Sequence, residues 1–127
     1  MVPELDPYNA LSYHRQMVIE GCEFAQRVRR IFEREHPDDV VIGDALATIH
    51  RWIGWAATEF ELKAAKDALH EDYLRPPVFA SLSIGAYATA LCVSKIVEAA
   101  LEPERVAYHV DRAVSYARQA LQAEQDS

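Results

Sequence analysis

Two pairs of residues, Glu33-x-x-His36 and Asp67-x-x-His70, have the i, i+3 spacing with which helical bundles hold carboxylate-bridged metal pairs. That chemistry needs both ligands to point into a core, with further carboxylates arriving from neighbouring helices. On a helical projection Asp67 falls roughly 140° from the centre of its apolar stripe. Glu33 lies at the edge of its own stripe, and His36 stands at the broken end of the same helix. No matched pair of Glu-x-x-His helices exists, so no metal is expected. His14 sits on an apolar helical face and His109 flanks another, near Tyr116; both read as hydrogen-bonded core histidines. Ser81, Ser83, Ser94 and Ser115 fall within expected helices, where a hydroxyl bonds back to the main chain. No nucleophile beside a base, no phosphate-cradling glycine loop and no zinc-type cysteine spacing is present. Catalytic, cofactor-binding and metal residues are therefore all expected to be absent, which points away from an enzyme.

The acidic residues carry more. If the helices alternate in direction, the connection between helices one and two lies at the same end as that between three and four. That end would gather Glu35, Asp38, Asp39, Glu71 and Asp72, a rim able to dock a cationic surface. Asp38 and Asp39 also have the simpler role of capping a helix. Glu71 and Asp72 fit that role badly, since carboxylates are mildly unfavourable near a helix C-terminus. Trp55 lies roughly 100° off the apolar stripe of helix two and is the other expected partner-binding residue, as an anchor. Trp52 points nearer the core.

Five helices position these groups. Asp6 and Pro7 suit an N-cap and a first helical residue, and helix one should run to about Glu35. Leu11, Val18, Ala25 and Phe32 repeat every seventh residue, with His14, Gly21 and Val28 in the same stripe. Glu20, Glu23, Arg27, Arg30 and Arg34 lie opposite, with Glu23 and Arg27 spaced for an ion pair. Pro37 closes the helix. Asp39, or Asp38, caps helix two, whose core face is Ile42, Ala45, Leu46, Ile49, Trp52, Ile53 and Ala56, with an end near Trp55. Thr58 and Glu61 form a capping box for helix three, which buries Leu62, Ala65, Leu69 and Tyr73 and stops before Pro76-Pro77. Helix four is expected over 78–101, without charge as far as Ser94. Pro103 opens helix five, with Val106, Val110, Ala113, Ala117, Ala120 and Leu121 inward. The fold class is all-α: one domain over residues 1–127, an antiparallel bundle of about five helices around a central apolar helix four, frayed at 1–6 and 124–127.

Thirteen basic against 20 acidic residues give a formal charge of −7. Such a surface disfavours nucleic acid and anionic membranes and favours a basic partner. The opening MVPELDP has neither a basic segment nor an apolar run, so no secretory signal is expected. Cys22 and Cys92 sit among apolar helical residues, as core thiols of a reducing compartment do; the expected location is the cytoplasm. Helix four contains Ser83, Gly85, Tyr87 and Thr89 and runs into Lys95 and Glu98, which suits a buried core helix better than a membrane span.

Several of these residues together resemble a known family. They are Cys22-Glu23, the run from Val28 to Phe32-Glu33, the turn His36-Pro37-Asp38-Asp39, Ala45 with Trp52, Ala64-Ala65, and His109-Val110 with Tyr116-Ala117. The pattern is similar to the all-helical bacterial immunity proteins found beside polymorphic toxins, the fifth numbered immunity family. Where a charged opening to helix two would be expected, this chain has Val40-Val41-Ile42-Gly43. The resemblance implies an inhibitor that binds a cognate, basic toxin domain stoichiometrically and occludes it, a nuclease being the toxin class that fits the acidic surface. It implies no turnover and no cofactor. The alternative from another class is a helical adaptor or self-associating structural protein, a homo-oligomer through the uncharged helix four.

Overall fold

The computed structural model describes the backbone of residues 7–126 and the side chains of residues 13–126. The expected Asp6 cap, the Leu11 core position and the frayed 1–6 and Ser127 lie outside the described residues. Five α-helices follow one another: α1 Pro7–Glu35, α2 Val41–Ile53, α3 Glu59–Leu69, α4 Ile84–Leu101 and α5 Val106–Asp126. Among the described residues no strand occurs. The bundle is all-α, and α4 is its apolar, buried centre, touching each of the other four helices.

Long-range contacts fix the directions. His14 Nε2 lies 2.8 Å from the carbonyl of Ala99, and the hydroxyl of Thr89 faces the carbonyl of Val28, so α1 and α4 run antiparallel. Arg30 and Arg34 reach Glu124 near the end of α5, so α1 and α5 run parallel. α2 and α3 form a hairpin against α4. The α1 stripe is buried at Val18, Cys22, Ala25, Val28 and Phe32. Gly21 sits where α1 crosses α4 and α5: a Cβ there would lie 3.3 Å from Ile96 and 3.7 Å from Val110. A methyl there would press Ile96 by a few tenths of an ångström, and a larger side chain has no room between the three helices. Both cysteines are free and buried, and burial pushes each thiol pKa up to about 12.

Helix ends depart from the sequence reading in instructive ways. α4 begins at Ile84 rather than near Val78. Residues Val78–Ser81 form a separate 3₁₀ turn and Leu82 is extended. Ser83 is not within the helix but caps it, its Oγ accepting the amide of Ala86 at 3.1 Å. With Leu82 extended, the first amides of α4 have no helical carbonyl to bond, and the serine satisfies one of them. Beyond α3, His70–Leu74 form a π-helical turn that ends before the cis bond joining Pro76 and Pro77. The capping box on α3 is present, with Thr58 and Glu61 bonding reciprocally at 3.2 Å.

α2 stops at Ile53, before the expected Trp55, and Ala56 is exposed instead of packed. The amide of Ala56 donates to the carbonyl of Arg51 at 2.7 Å and that of Trp55 to Trp52 at 3.0 Å. With Trp55 at φ 66°, this is a Schellman termination whose left-handed residue is a tryptophan. At the surface, Glu23 and Arg27 do not pair. Arg27 lies over Phe24 at 5.1 Å, and the i, i+4 pair on α1 is Arg29–Glu33 at 3.0 Å. Exposed pairs contribute little, so a nearby ring competes successfully. α5 continues through Glu124, expected to fray, to Asp126, and the two arginines on Glu124 hold that turn against α1.

Candidate functional site

The connection α1–α2 and the segment after α3 meet at one end of the bundle, joined by two aromatic contacts, Phe32–Tyr73 and His36–Tyr73, and one hydrogen bond. Phe32 packs against Tyr73 at 4.7 Å and against His36 at 4.8 Å, and the Tyr73 hydroxyl donates to Asp39 Oδ1. The five carboxylates Glu35, Asp38, Asp39, Glu71 and Asp72 are brought to this end, but their local roles differ. Asp39 is the cap of α2, accepting the amides of Val41 and Ile42 at 3.2 and 3.1 Å as well as the tyrosine. Glu35 accepts the Ser83 hydroxyl at 2.7 Å. Glu71 pairs with Arg75 at 3.2 Å, while Arg75 also donates to the Glu71 carbonyl and so satisfies a C-terminal orphan. Asp38 and Asp72 are exposed and form no ion pair among the described residues.

Two carboxylates that the sequence reading did not place join them: Asp44, in the first turn of α2, and Asp126, at the end of α5. The arginines of this end, Arg29, Arg30, Arg34 and Arg75, are each paired with a glutamate. Glu35, Asp38, Asp39, Asp44, Asp72 and Asp126 have no cationic partner among the described residues. The negative charge of this end is thus uncompensated locally, which is the condition for an outward field.

Trp55 stands elsewhere. α2, 13 residues long, separates it from Asp39 by about 20 Å at 1.5 Å per residue, so Trp55 belongs to the opposite end of the bundle. It is 69% exposed. The Arg15 guanidinium lies 3.5 Å from its ring centroid and 4.3 Å from that of Trp52. Arg15 also donates to the carbonyls of Trp52, which takes the Trp55 amide as well, and of Ile53, in the last turn of α2. Burial lowers the Arg15 pKa. No sequence signal singles out Arg15, because its partners are backbone carbonyls created by the early end of α2. Tyr13, Phe60 and Tyr108 are exposed at the same end.

Of the histidines, His14 is buried with its edge against Trp52, as expected. Neither i, i+3 pair converges: Glu33, Asp67 and His70 are exposed. A metal-like cluster forms instead from Glu98, Glu102 and His109, whose ligand atoms lie within 4.8 Å of one another. His109 is 2% exposed, with Nε2 at 3.1 Å from Glu102 and Nδ1 at 3.3 Å from Glu98. The Nδ1 contact is an electrostatic one, without hydrogen-bond geometry. Lys95 and Lys66 approach Glu98 at 2.9 and 3.4 Å, placing two ammonium groups where a metal cation would need the carboxylate to itself. Desolvation raises the Glu98 pKa, but Lys95, Lys66 and His109 outweigh it and hold it below the usual carboxylate value. The cluster works as an ionic junction tying α3, α4 and α5. Its signal was present in the i, i+3 and i, i+4 spacing of Lys95, Glu98 and Glu102.

A cleft of about 760 Å³ opens at the acidic end between the last turn of α1, the start of α4 and the last turns of α5. Ile84, 75% exposed, stands at its edge. By length and composition α4 is, among the described residues, the one helix long and apolar enough to cross a membrane, yet 67% of it is buried inside the bundle. No family model matches the chain, and no curated protein or solved structure matches it either.

Proposed function

We propose that the protein is a bacterial immunity protein, acting in the cytoplasm by binding a basic toxin domain stoichiometrically and blocking it without turnover. The observation that carries this reading is the acidic end, where Arg29, Arg30, Arg34 and Arg75 are each paired and six carboxylates have no cationic partner among the described residues. Uncompensated charge of one sign steers an oppositely charged partner and accelerates encounter. A nuclease, whose active-site cleft is built to hold phosphates, is the toxin class this end complements. The resemblance of the His36-Pro37-Asp38-Asp39 turn and the surrounding helical pattern to polymorphic-toxin immunity proteins supports the same reading.

The test is capture from the source cell's lysate at low salt, with bound chains identified by mass spectrometry. A basic toxin-like chain recovered in about equal amount is the expected result. The captured chain is then tested against Asp38→Lys/Asp72→Lys, which alters two exposed carboxylates that form no ion pair among the described residues. The variant should associate about tenfold more slowly at low salt, and the difference should shrink as salt screens it. Recovery of the protein alone, as a stable oligomer by light scattering, overturns the proposal in favour of self-association.

A further inference from the structure

The cleft at the acidic end has a floor and a rim of opposite character. Its floor is apolar: Ile31, 6% exposed, lies beneath Gly85, and Ala123 closes the side. A Cβ on Gly85 would meet Ile31 at 3.0 Å and Ala123 at 3.9 Å, so the missing side chain is what keeps the floor low. Ile84 extends the apolar wall outward. The rim is acidic: Glu35, bonded to the Ser83 hydroxyl at 2.7 Å, and Asp126, bonded to Gln122 at 3.1 Å. The arginine of the cleft, Arg34, is taken up by Glu124 at 2.6 Å. Asp38 and Asp72 lie on the same end of the bundle. An apolar floor flanked by two carboxylates, Glu35 and Asp126, that have no cationic partner among the described residues complements one kind of ligand: a segment with an apolar side chain flanked by positive charges. The volume suits a few residues rather than a whole helix face.

We infer that this cleft receives a short segment of the partner toxin, carrying a Leu- or Phe-sized side chain between lysines or arginines. The apolar side chain covers Ile31, Gly85 and Ile84, and the flanking cations pair with Glu35 and Asp126. This rests on the immunity reading for the identity of the partner, but the chemistry of the cleft is testable by itself.

The probes are two N-acetylated, C-amidated tripeptides, Lys-Leu-Lys and Glu-Leu-Glu, titrated into ¹⁵N-labelled protein with amide shifts followed by NMR at low salt. Lys-Leu-Lys should shift Ile31, Ile84, Gly85 and Ala123 and bind about fivefold more tightly than Glu-Leu-Glu. Ile84→Ser should weaken it, with folding preserved because the side chain is exposed. Glu35→Gln, which keeps an acceptor for Ser83, combined with Asp126→Asn should narrow the gap between the two peptides. Equal affinities, shifts elsewhere, or no shifts overturn the inference. So do amide shifts that depend on protein concentration without peptide, which assign the cleft to a second copy of the chain. A captured toxin whose affinity is unchanged by Ile84→Ser removes the cleft from the interface and leaves the immunity reading standing. Cleft shifts by Lys-Leu-Lys with no basic partner captured do the reverse.

Discussion

Replacing Trp55 should reverse the usual order of alanine and glycine. In a helix interior alanine is the more favourable by about 1 kcal/mol. Trp55, however, has φ 66° and closes α2 in the left-handed conformation, which costs a residue with a Cβ roughly 1–2 kcal/mol and glycine almost nothing. The tryptophan recovers part of this by lying 3.5 Å beneath the Arg15 guanidinium, an exposed cation–π contact that contributes about 0.5–1 kcal/mol. Trp55→Ala keeps the strain and loses the contact, so it should destabilise by about 0.5–1 kcal/mol. Trp55→Gly loses both and should come out near neutral. The two variants should therefore differ by about 1 kcal/mol in favour of glycine, or roughly 3–5 °C in Tm for a chain of this size. Urea unfolding followed by far-ultraviolet circular dichroism measures the difference, with m unchanged. In an Arg15→Ala background the tryptophan has no guanidinium to cover, and Trp55→Ala should cost almost nothing. A Trp55→Ala protein as stable as Trp55→Gly, or more so, would refute the argument that backbone strain is stored at this residue.

The ionic junction gives a pH test. The Glu98 pKa is held below its ordinary value, so its contribution is complete above that value and is lost as pH falls through the depressed folded one. Glu98→Gln should cost about 1–2 kcal/mol at neutral pH by leaving Lys95, Lys66 and His109 facing a neutral amide, and the gap from wild type should close as pH falls from the ordinary glutamate range through the depressed folded value. Gly43→Ala should stabilise by about 0.5 kcal/mol in denaturant titration, because the added Cβ meets only the movable end of Arg29, at 2.8 Å. Gly21→Leu should instead cost about 1–3 kcal/mol, its neighbours being the packed Ile96 and Val110. Cys22 and Cys92, with thiols pushed up to about 12, should resist a thiol-labelling reagent in the native protein and both react in urea.

Elements set by periodicity were legible in the residues. The α1 stripe, the α5 alanines and the Thr58–Glu61 capping box each depend on spacing alone, and each stands where the spacing puts it. Features created by tertiary contact were not. Ser83 reads as one more small residue in an uncharged run until Glu35 is placed beside it, and Val78 reads as helical because nothing in its neighbours announces the extended Leu82. The meeting of the two acidic connections followed from alternating helix directions. The roles within that group did not, since whether Asp39 or Asp38 faces the α2 amides is a matter of a single residue's rotation. Trp55 was legible as off the core face of α2, and its distance from the acidic end followed from the length of that helix; its left-handed backbone was not, because it depends on where α2 stops. The cleft beside Ile84 needs three helices to exist at all.

The guanidinium of Arg15 has one more consequence. The chain has two tryptophans, and both lie against that group. Its tryptophan emission, excited selectively, therefore watches one end of the bundle and is nearly blind to the other. A ligand that settles between Glu35 and Asp126 should leave the spectrum almost untouched, and one that quenches it has landed near Arg15. Local opening of the acidic turns would likewise pass unseen by emission while amide exchange records it, so the same protein would look rigid to one instrument and restless to another.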